Sequence, residues 1–258
     1  MRAARVSRGL GLRELAQQVG MSPSSLSEFE HGKSRPGAER LAALSAALGV
    51  PIEEAKPAPV VPEFGRWREY DELDLDPVAR AGLELFVERG YHGSTVRMIA
   101  ERCGMTVAGV YHHVPSKHAL LLGLMRRGMA EMAARCAAAD EEGVSPRERL
   151  TNLVESLVIF HIFRLPLAYI VTNEIRGLDP EARAEMVTER LRVLQYFADA
   201  VTDCRGGAST GMAPDRVTAR AIVTMCAAVP DFYDDAGRPA PGGLAEEYVA
   251  LAVAMVYP

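Results

Sequence analysis

Helical periodicity runs along almost the whole chain and constrains its fold more than any other feature. Apolar residues recur at spacings of three and four, whereas Val and Ile nowhere alternate with polar residues over the length of a strand. The sequence therefore predicts an all-α protein. Its 258 residues favour two domains, and 48% hydrophobic with 24% charged residues is typical of a globular chain with a sizeable core.

A first pair of short helices is predicted within residues 12–33. Gly20 marks the turn between the helices, and Ala16 is small enough to let them approach closely. Ser22 caps the second helix and Pro23 occupies its first position. This is the pattern of a helix-turn-helix, in which the amino end of the second helix enters the major groove of DNA.

Residues 1–55 resemble the Cro/repressor-type (XRE-like) fold of five helices. The resemblance rests on residues 12–16, 20–22, 30–33 and 41–51, which read LRELA, GMS, EHGK and LAALSAALGVP. It implies a unit that reads DNA, although such a unit kept only for protein contacts remains the alternative. The expected contacts are base edges for Pro23, Ser24, Ser25 and Glu28, and phosphates for Arg13, Lys33 and Arg35.

Residues 56–75 are expected to link this unit to the rest of the chain. Pro57, Pro59 and Pro62 favour an extended, semi-rigid spacer, and an acidic stretch follows, which we interpret as a solvated end of the linker. Trp67 is the one tryptophan, and we expect it to pack on the second domain rather than to bind a ligand.

A second helix-turn-helix is predicted within residues 95–117, and it differs from the first. Thr95 caps one helix, Gly104 makes the turn, and Thr106 caps a short recognition helix that ends near His112. Phosphate contacts are expected at the end of this helix and at the start of the next one, because hydroxyl, ammonium and helix-terminal amide groups there suit phosphate oxygens. The side chains expected to make them are those of Tyr111 and Lys117.

Residues 76–122 resemble the TetR family of DNA-binding regulators. The resemblance rests on TVRMIA at residues 95–100, on GMT at 104–106 and on YHHVPSKHALL at 111–121. In place of the family's usual glycine two residues after the cap stands an alanine, which leaves small, apolar groups to face thymine methyls. The resemblance implies DNA contacts by Thr95, Arg97, Thr106, Val107, Ala108, Gly109, Tyr111, His112 and Lys117.

Residues 123–258 have the layout of a TetR-type ligand-binding and dimerisation domain. Residues 160–197 and 229–256 contain turns similar to those of the branch of the family that answers fatty-acyl or steroid-acyl coenzyme A, which implies a hydrophobic or CoA-linked effector. Ordinary core or surface roles for His161 and the arginines stay open as alternatives. The candidate ligand contacts are Phe160, His161, Arg164, Tyr169, Thr172, Asn173, Arg176, Met225, Phe232 and Tyr233.

The expected function is that of a ligand-responsive regulator, and more specifically a repressor. Apolar stripes on the last two helices are each expected to pair across a two-fold axis, as the resemblance implies, so that a homodimer binds a palindrome in double-stranded DNA. Two unlike readers in one chain favour a longer, composite operator. The predicted helices are 77–89, 96–103, 107–112, 117–139, 146–162, 165–177, 180–203, 214–229 and 243–256.

Other classes of function find little support in the sequence. The formal net charge of −5 means that DNA binding must depend on a local basic patch. The four cysteines lack metal or redox spacing, and adjacent His112 and His113 point to different faces of a helix. No catalytic motif, cofactor motif, membrane-spanning run or signal core is visible, so we expect a cytoplasmic protein that is not an enzyme.

Overall fold

The structure, a computed structural model, confirms the all-α prediction. It describes residues 5, 8, 10–30, 38–48, 66–206, 212–233 and 240–257, and within these ranges every regular element is a helix. The chain divides into two compact units, residues 1–58 and residues 59–258.

The first unit contains helices α1 (Leu12–Gln18), α2 (Pro23–Glu30) and α3 (Ala38–Leu48). Gly20 has a φ of 64°, which glycine adopts without strain, so the chain turns sharply between α1 and α2. One apolar cluster holds the three helices together, and its buried members are Leu15, Ala16, Val19, Leu26, Leu44 and Leu48.

The second unit begins with three helices around the second turn: α4 (Pro77–Gly93), α5 (Val96–Arg102) and α6 (Val107–His113). The sequence predicts that the first helix ends before Gly90, and the backbone at Gly90 is indeed non-helical, with φ of 71° and ψ of 164°. A short helical turn then continues α4 to Gly93. Gly104 has a φ of 67° and makes the predicted turn between α5 and α6.

A helical bundle follows, and α8 lies at its centre. Helix α8 packs against α7, α10, α11 and α12, which explains why nearly every residue from Leu150 to Ile162 is buried. The predicted helix 165–177 tightens in its last turn into a 3₁₀ turn, Glu174–Gly177. The elements are α7 (Lys117–Glu142), α8 (Pro146–Phe163), α9 (Leu165–Asn173), α10 (Pro180–Cys204), α11 (Met212–Ala227) and α12 (Pro241–Val256).

Residues 66–76 lie on this second unit. The side chain of Trp67 is buried in its core, as the sequence predicts, while the acidic side chains at 69, 71, 72, 74 and 76 are exposed. The indole N–H donates to Glu142 Oε2 at 2.7 Å, so the ring is held at the end of α7.

A buried ionic cluster joins α7 to the junction of α8 and α9. The carboxylate of Glu131 lies 2.9 Å from Arg135 Nη2 and 3.1 Å from Arg164 Nε, and all three side chains are at least nine-tenths buried. The ring of Tyr70 lies 3.6 Å from the Arg135 guanidinium and stacks on Phe163. One buried carboxylate therefore compensates two buried guanidinium groups, with help from an aromatic face.

Removing this carboxylate should destabilise the second unit strongly. Because Glu131→Ala leaves two buried guanidinium groups without a counter-charge, we expect a loss of about 3–5 kcal/mol in the free energy of unfolding. Urea denaturation followed by circular dichroism measures it. The control is Glu189→Ala, which breaks a surface pair with Arg192 and should change stability by less than about 1 kcal/mol. Equal effects of the two substitutions would contradict the expectation.

Candidate DNA interface and effector cavity

The recognition helix α6 is short and capped at its start. Thr106 Oγ1 accepts a hydrogen bond from the amide of Gly109 at 3.1 Å, and Val110 is buried and anchors the helix. Gly109 is tight against its surroundings, since a Cβ there would lie 3.4 Å from Thr106 Oγ1. Val107 and Ala108 are exposed and offer apolar surface of the kind that contacts thymine methyls.

The neighbouring predicted contacts are also accessible to solvent. Thr95 caps α5 by accepting from the amide of Met98 at 3.2 Å. Arg97 is largely exposed and pairs with Glu101 at 3.1 Å, a surface pair that is weak enough to exchange for a phosphate. Tyr111 is 51% exposed and His112 is exposed as well, so their roles at DNA stay predictions that the geometry permits.

Lys117 has partners other than the phosphate expected from the sequence. Its ammonium group donates to the carbonyl oxygens of Tyr91 at 2.7 Å and Ser94 at 2.6 Å, and it lies 4.1 Å from the centre of the Tyr91 ring. Partial burial lowers the pKa of Lys117. Two of its three N–H donors therefore fasten the start of α7 to the end of α4, because the last carbonyls of a helix attract cations.

In the first unit, three of the seven predicted DNA contacts have described side chains and four do not. Arg13 and Pro23 are exposed, whereas Ser25 is turned toward the cap of α2: its amide donates to Ser22 Oγ at 3.0 Å and the two hydroxyls lie 2.8 Å apart. Four predicted contacts fall outside the residues or side chains that the structure describes, namely Ser24, Glu28, Lys33 and Arg35.

A cavity of about 380 Å³ lies in the second unit between α7, α8, α10 and α11, at the end of α9. Apolar side chains dominate its wall, with a few polar groups among them, as in most sites for small molecules. It is lined by Met129, Met132, Leu157, His161, Val171, Thr172, Val187, Arg190, Leu191, Val193, Leu194, Arg220, Val223, Thr224 and Ala227.

Two of the ten candidate ligand contacts, His161 and Thr172, line this cavity, and the other eight lie elsewhere. Arg164 is held by Glu131, because a buried guanidinium group requires a counter-charge. Asn173 and Arg176 are exposed, since α9 ends at the first of them and the 3₁₀ turn carries the second outward. Outside the cavity wall there remain the buried Phe160, the half-buried Tyr169, Met225 and Tyr233, and the exposed Phe232.

His161 has a defined protonation state. Its Nδ1 lies 2.6 Å from the carbonyl oxygen of Leu157, and because a carbonyl only accepts, the proton resides on Nδ1. Burial lowers the pKa of His161 to about 4, so the ring is neutral near pH 7 and its Nε2 is a hydrogen-bond acceptor.

Two arginines give the cavity a positive charge, and the sequence interpretation missed both. Arg190 is half-buried, its guanidinium donates to the carbonyls of Val171 and Thr172, and burial lowers its pKa. Arg220 is exposed at the cavity wall. No lining residue is acidic, so no carboxylate in the cavity wall would repel an anion. No local signal distinguished Arg190, because residues 187–194 also carry Glu189 and Arg192 among their apolar side chains.

Within the described ranges no group of three or more His, Cys, Asp or Glu side chains is placed to hold a metal ion. Likewise no single helix there is long and apolar enough to cross a membrane. The pair Pro146–Phe163 and Leu165–Gly177 reaches that length only when both helices are added across a bend of 100°.

Three family descriptions match the chain. Residues 1–54 match a helix-turn-helix family, residues 79–124 match bacterial regulatory proteins of the tetR family, and residues 143–256 match the tetracyclin repressor-like C-terminal domain.

The chain is also similar to individual proteins. The HTH-type transcriptional regulator UidR of Escherichia coli (strain K12) is 24% identical over 130 residues, which cover 50% of this chain and 64% of UidR, so less than two thirds of that relative is matched. A tetR-family regulatory protein from Rhodococcus RHA1 is 26% identical with a TM-score of 0.64, covering 70% of this chain and 95% of that chain. AibR, solved in complex with isovaleryl coenzyme A and operator DNA, is 23% identical with a TM-score of 0.60, covering 67% and 95%, and so shares the fold.

The depressed pKa of His161 should make stability fall in mild acid. The ordinary histidine value of 6.5 applies to the unfolded chain and about 4 to the folded chain, so between these values the unfolded chain binds more protons. Stability from this group is complete above pH 6.5 and declines by about 3 kcal/mol as pH falls to about 4. Urea unfolding across this range should show the decline in the parent protein and not in His161→Phe.

The matched control for this prediction is His92→Phe, because the imidazole of His92 is exposed. It should keep the decline of the parent protein. A parent protein and His161→Phe variant with the same slope of stability against pH would overturn the assignment of a neutral, buried imidazole.

Proposed function

Because the chain belongs to the TetR family of regulatory proteins, we propose that it is a homodimeric repressor that an effector releases from DNA. Members of this family bind DNA and regulate transcription, and most of them repress. The observation that carries the proposal is the cavity of about 380 Å³ in the same unit as the α5–α6 reader. The proposed place of action is the cytoplasm.

The proposed dimer forms through α11 and α12. Each of these helices has one apolar face buried in its own unit, where Ile222 and Ala252 lie, and further apolar side chains that remain in solvent. Val217 is 67% exposed, Leu251 52% and Met255 40%. Exposed apolar residues clustered on adjoining helices mark an association surface, and a two-fold pairing would present two copies of α6 to a palindrome.

The proposed effector is a small hydrophobic acid or acyl-CoA. Apolar side chains of α7, α8, α10 and α11 suit an acyl chain, and a cavity with Arg190 and Arg220 but no acidic lining residue favours an anionic group over a cation. His161 Nε2 would accept from a hydroxyl or amide N–H of the ligand. The complex of AibR with isovaleryl coenzyme A supports this class by analogy of fold.

The first unit is proposed to add a second DNA contact, which makes the operator composite. Its helix pair α1–α2 has the turn, cap and buried core of a DNA-reading motif, and Arg13 is exposed. Linking two readers in one chain raises the effective concentration of the second contact. The alternative is that this unit binds a protein partner and that residues 76–258 alone hold DNA.

Selection of binding sites from random DNA should distinguish these two functions of the first unit. We expect the intact protein to select a palindrome with an extra flanking element, and a version without residues 1–60 to select the palindrome alone. Its affinity should also depend less steeply on salt, because fewer phosphates are contacted.

One outcome would redirect this interpretation. The same palindrome and the same salt dependence for both versions would mean that the first unit binds protein instead of DNA. The control is Leu251→Glu, which places a charge on the exposed face of α12 and should select half-sites if the dimer forms there.

Effector and operator should each lower the binding affinity of the protein for the other by the same factor. Linkage requires that an acyl-CoA which weakens operator binding also binds the DNA complex more weakly to the same extent. Octanoyl-CoA and isovaleryl-CoA, titrated by calorimetry with and without the selected operator, test this expectation. Tight binding of both ligand and DNA with no mutual effect would contradict effector control.

Arg190→Leu should distinguish the contribution of the ligand's anionic group to affinity from the contribution of its acyl chain. We expect affinity for octanoyl-CoA and octanoate to fall about tenfold or more, because a charge-assisted contact is lost, while octanol is unaffected. Arg192→Leu is the matched control, since Arg192 lies on the same helix, is exposed and pairs with Glu189. An octanoyl-CoA affinity unchanged in Arg190→Leu would show that this guanidinium does not hold the anion.

A further inference from the structure

Residues 66–71, here called the strap, are bound to the outside of the ligand-binding bundle by their side chains. The Arg68 guanidinium pairs with Glu155 at 2.8 Å and 2.9 Å and with Glu142 at 2.6 Å, so that it bridges α8 and α7. Trp67 is buried beside it and donates to the same Glu142. The strap is thus held by the two helices that also line the cavity.

Two buried arginines also hold the strap, through hydrogen bonds to its backbone carbonyls. Arg135 donates to the carbonyl oxygens of Trp67 at 2.9 Å and Glu69 at 2.8 Å, and Arg164 donates to that of Asp71 at 3.0 Å. Both guanidinium groups are oriented by the single carboxylate of Glu131. The position of the strap therefore depends on how α7 and the end of α8 lie relative to each other.

On α7 and at the end of α8, residues that hold the strap stand within three positions of residues that line the cavity. On α7, Glu131 lies between Met129 and Met132, which both line the cavity. On α8, His161 lines the cavity and Arg164 follows three residues later. A displacement of either helix by a ligand would thus act directly on the Glu131 cluster, because close-packed helices move as rigid bodies.

We propose that the strap is the element through which the cavity controls the amino-terminal half of the chain. Filling the cavity displaces α7 from the end of α8, lengthens the contact between Glu131 and Arg164, and loosens the strap. Along the chain, residue 66 leads back to the first unit and residue 76 leads into α4. This regulation rests on the proposed function of the cavity as the effector site.

The chemistry of the cluster makes a two-state response physically reasonable. A buried guanidinium group that loses its carboxylate is strongly disfavoured unless water replaces it. Partial separation of Glu131 from Arg164 is therefore unfavourable, and the strap is either bound with a dry cluster or released with a hydrated one. Both states differ in the exposure of Trp67, the one tryptophan of the chain, so its emission reports the strap alone.

The test fills the cavity by substitution, so that it needs no effector. Val223 is half-buried in the cavity wall, and Val223→Phe adds volume there, while Val223→Thr keeps the size and is the matched control. Ala227→Leu fills the wall at a second position. The full-length variants are compared by Trp67 emission, by its quenching with acrylamide, and by hydrogen exchange of residues 66–71. Circular dichroism verifies that each variant is folded.

We expect Val223→Phe and Ala227→Leu to shift the Trp67 emission to the red and to accelerate exchange in the strap about fivefold or more, as a coupled equilibrium predicts. Val223→Thr should match the parent protein. Emission and exchange of the strap unchanged in both filled variants would overturn the proposal.

Operator affinity on the same samples distinguishes this failure from failure of the proposed function. Filled variants that lose the operator with an unchanged strap would support an effector cavity and exclude the strap as its relay. Filled variants that loosen the strap and still bind the operator normally would contradict repression through this cavity, and would overturn control of DNA binding by the strap while leaving its coupling to the cavity.

Discussion

The burial of the second half of α8 is the constraint on which the rest of the second unit depends. Helices α7, α10, α11 and α12 all pack against α8, so its residues from Leu150 to Ile162 are mostly apolar. A polar group buried on such a helix is costly unless it has a hydrogen-bond partner. His161 meets this condition as a neutral ring bonded to the Leu157 carbonyl, and this leaves an acceptor at the cavity wall. The hydrogen-bonding character of the wall at His161 thus follows from the packing.

Two sites in the same bundle hold more guanidinium groups than carboxylate groups, namely the Glu131 cluster and the cavity wall. At the Glu131 cluster two guanidinium groups share one carboxylate and make up the difference with backbone carbonyls and the Tyr70 ring. At the cavity the guanidinium of Arg190 is met by carbonyls alone among its described partners. Carbonyl dipoles compensate a cation less completely than a carboxylate does. The first arrangement serves stability, and the second leaves a charge that an anionic ligand can complete.

The sequence predicted features that depend on interactions between neighbouring residues, and it missed features that depend on residues far apart in the chain. The helix starts after Thr95 and Thr106 were predicted correctly because a cap acts within three residues, and the structure shows each hydroxyl accepting an amide N–H. The cavity was largely missed, because its wall draws on residues far apart in sequence. Lys117 was assigned to phosphate because nothing local shows that the end of α4 would lie within its reach.

The sequence by itself determined the helical class and the two turns at Gly20 and Gly104, since periodicity, capping and glycine geometry are local properties of the chain. Its motifs also carried the resemblance to DNA-binding families that the family matches bear out. Only the tertiary structure decided which polar groups are buried and what each one faces. It placed Arg164 on Glu131 and left Arg190 at the cavity without an acidic neighbour in the wall. The physical reason is that burial and charge compensation depend on helices brought together from distant parts of the chain.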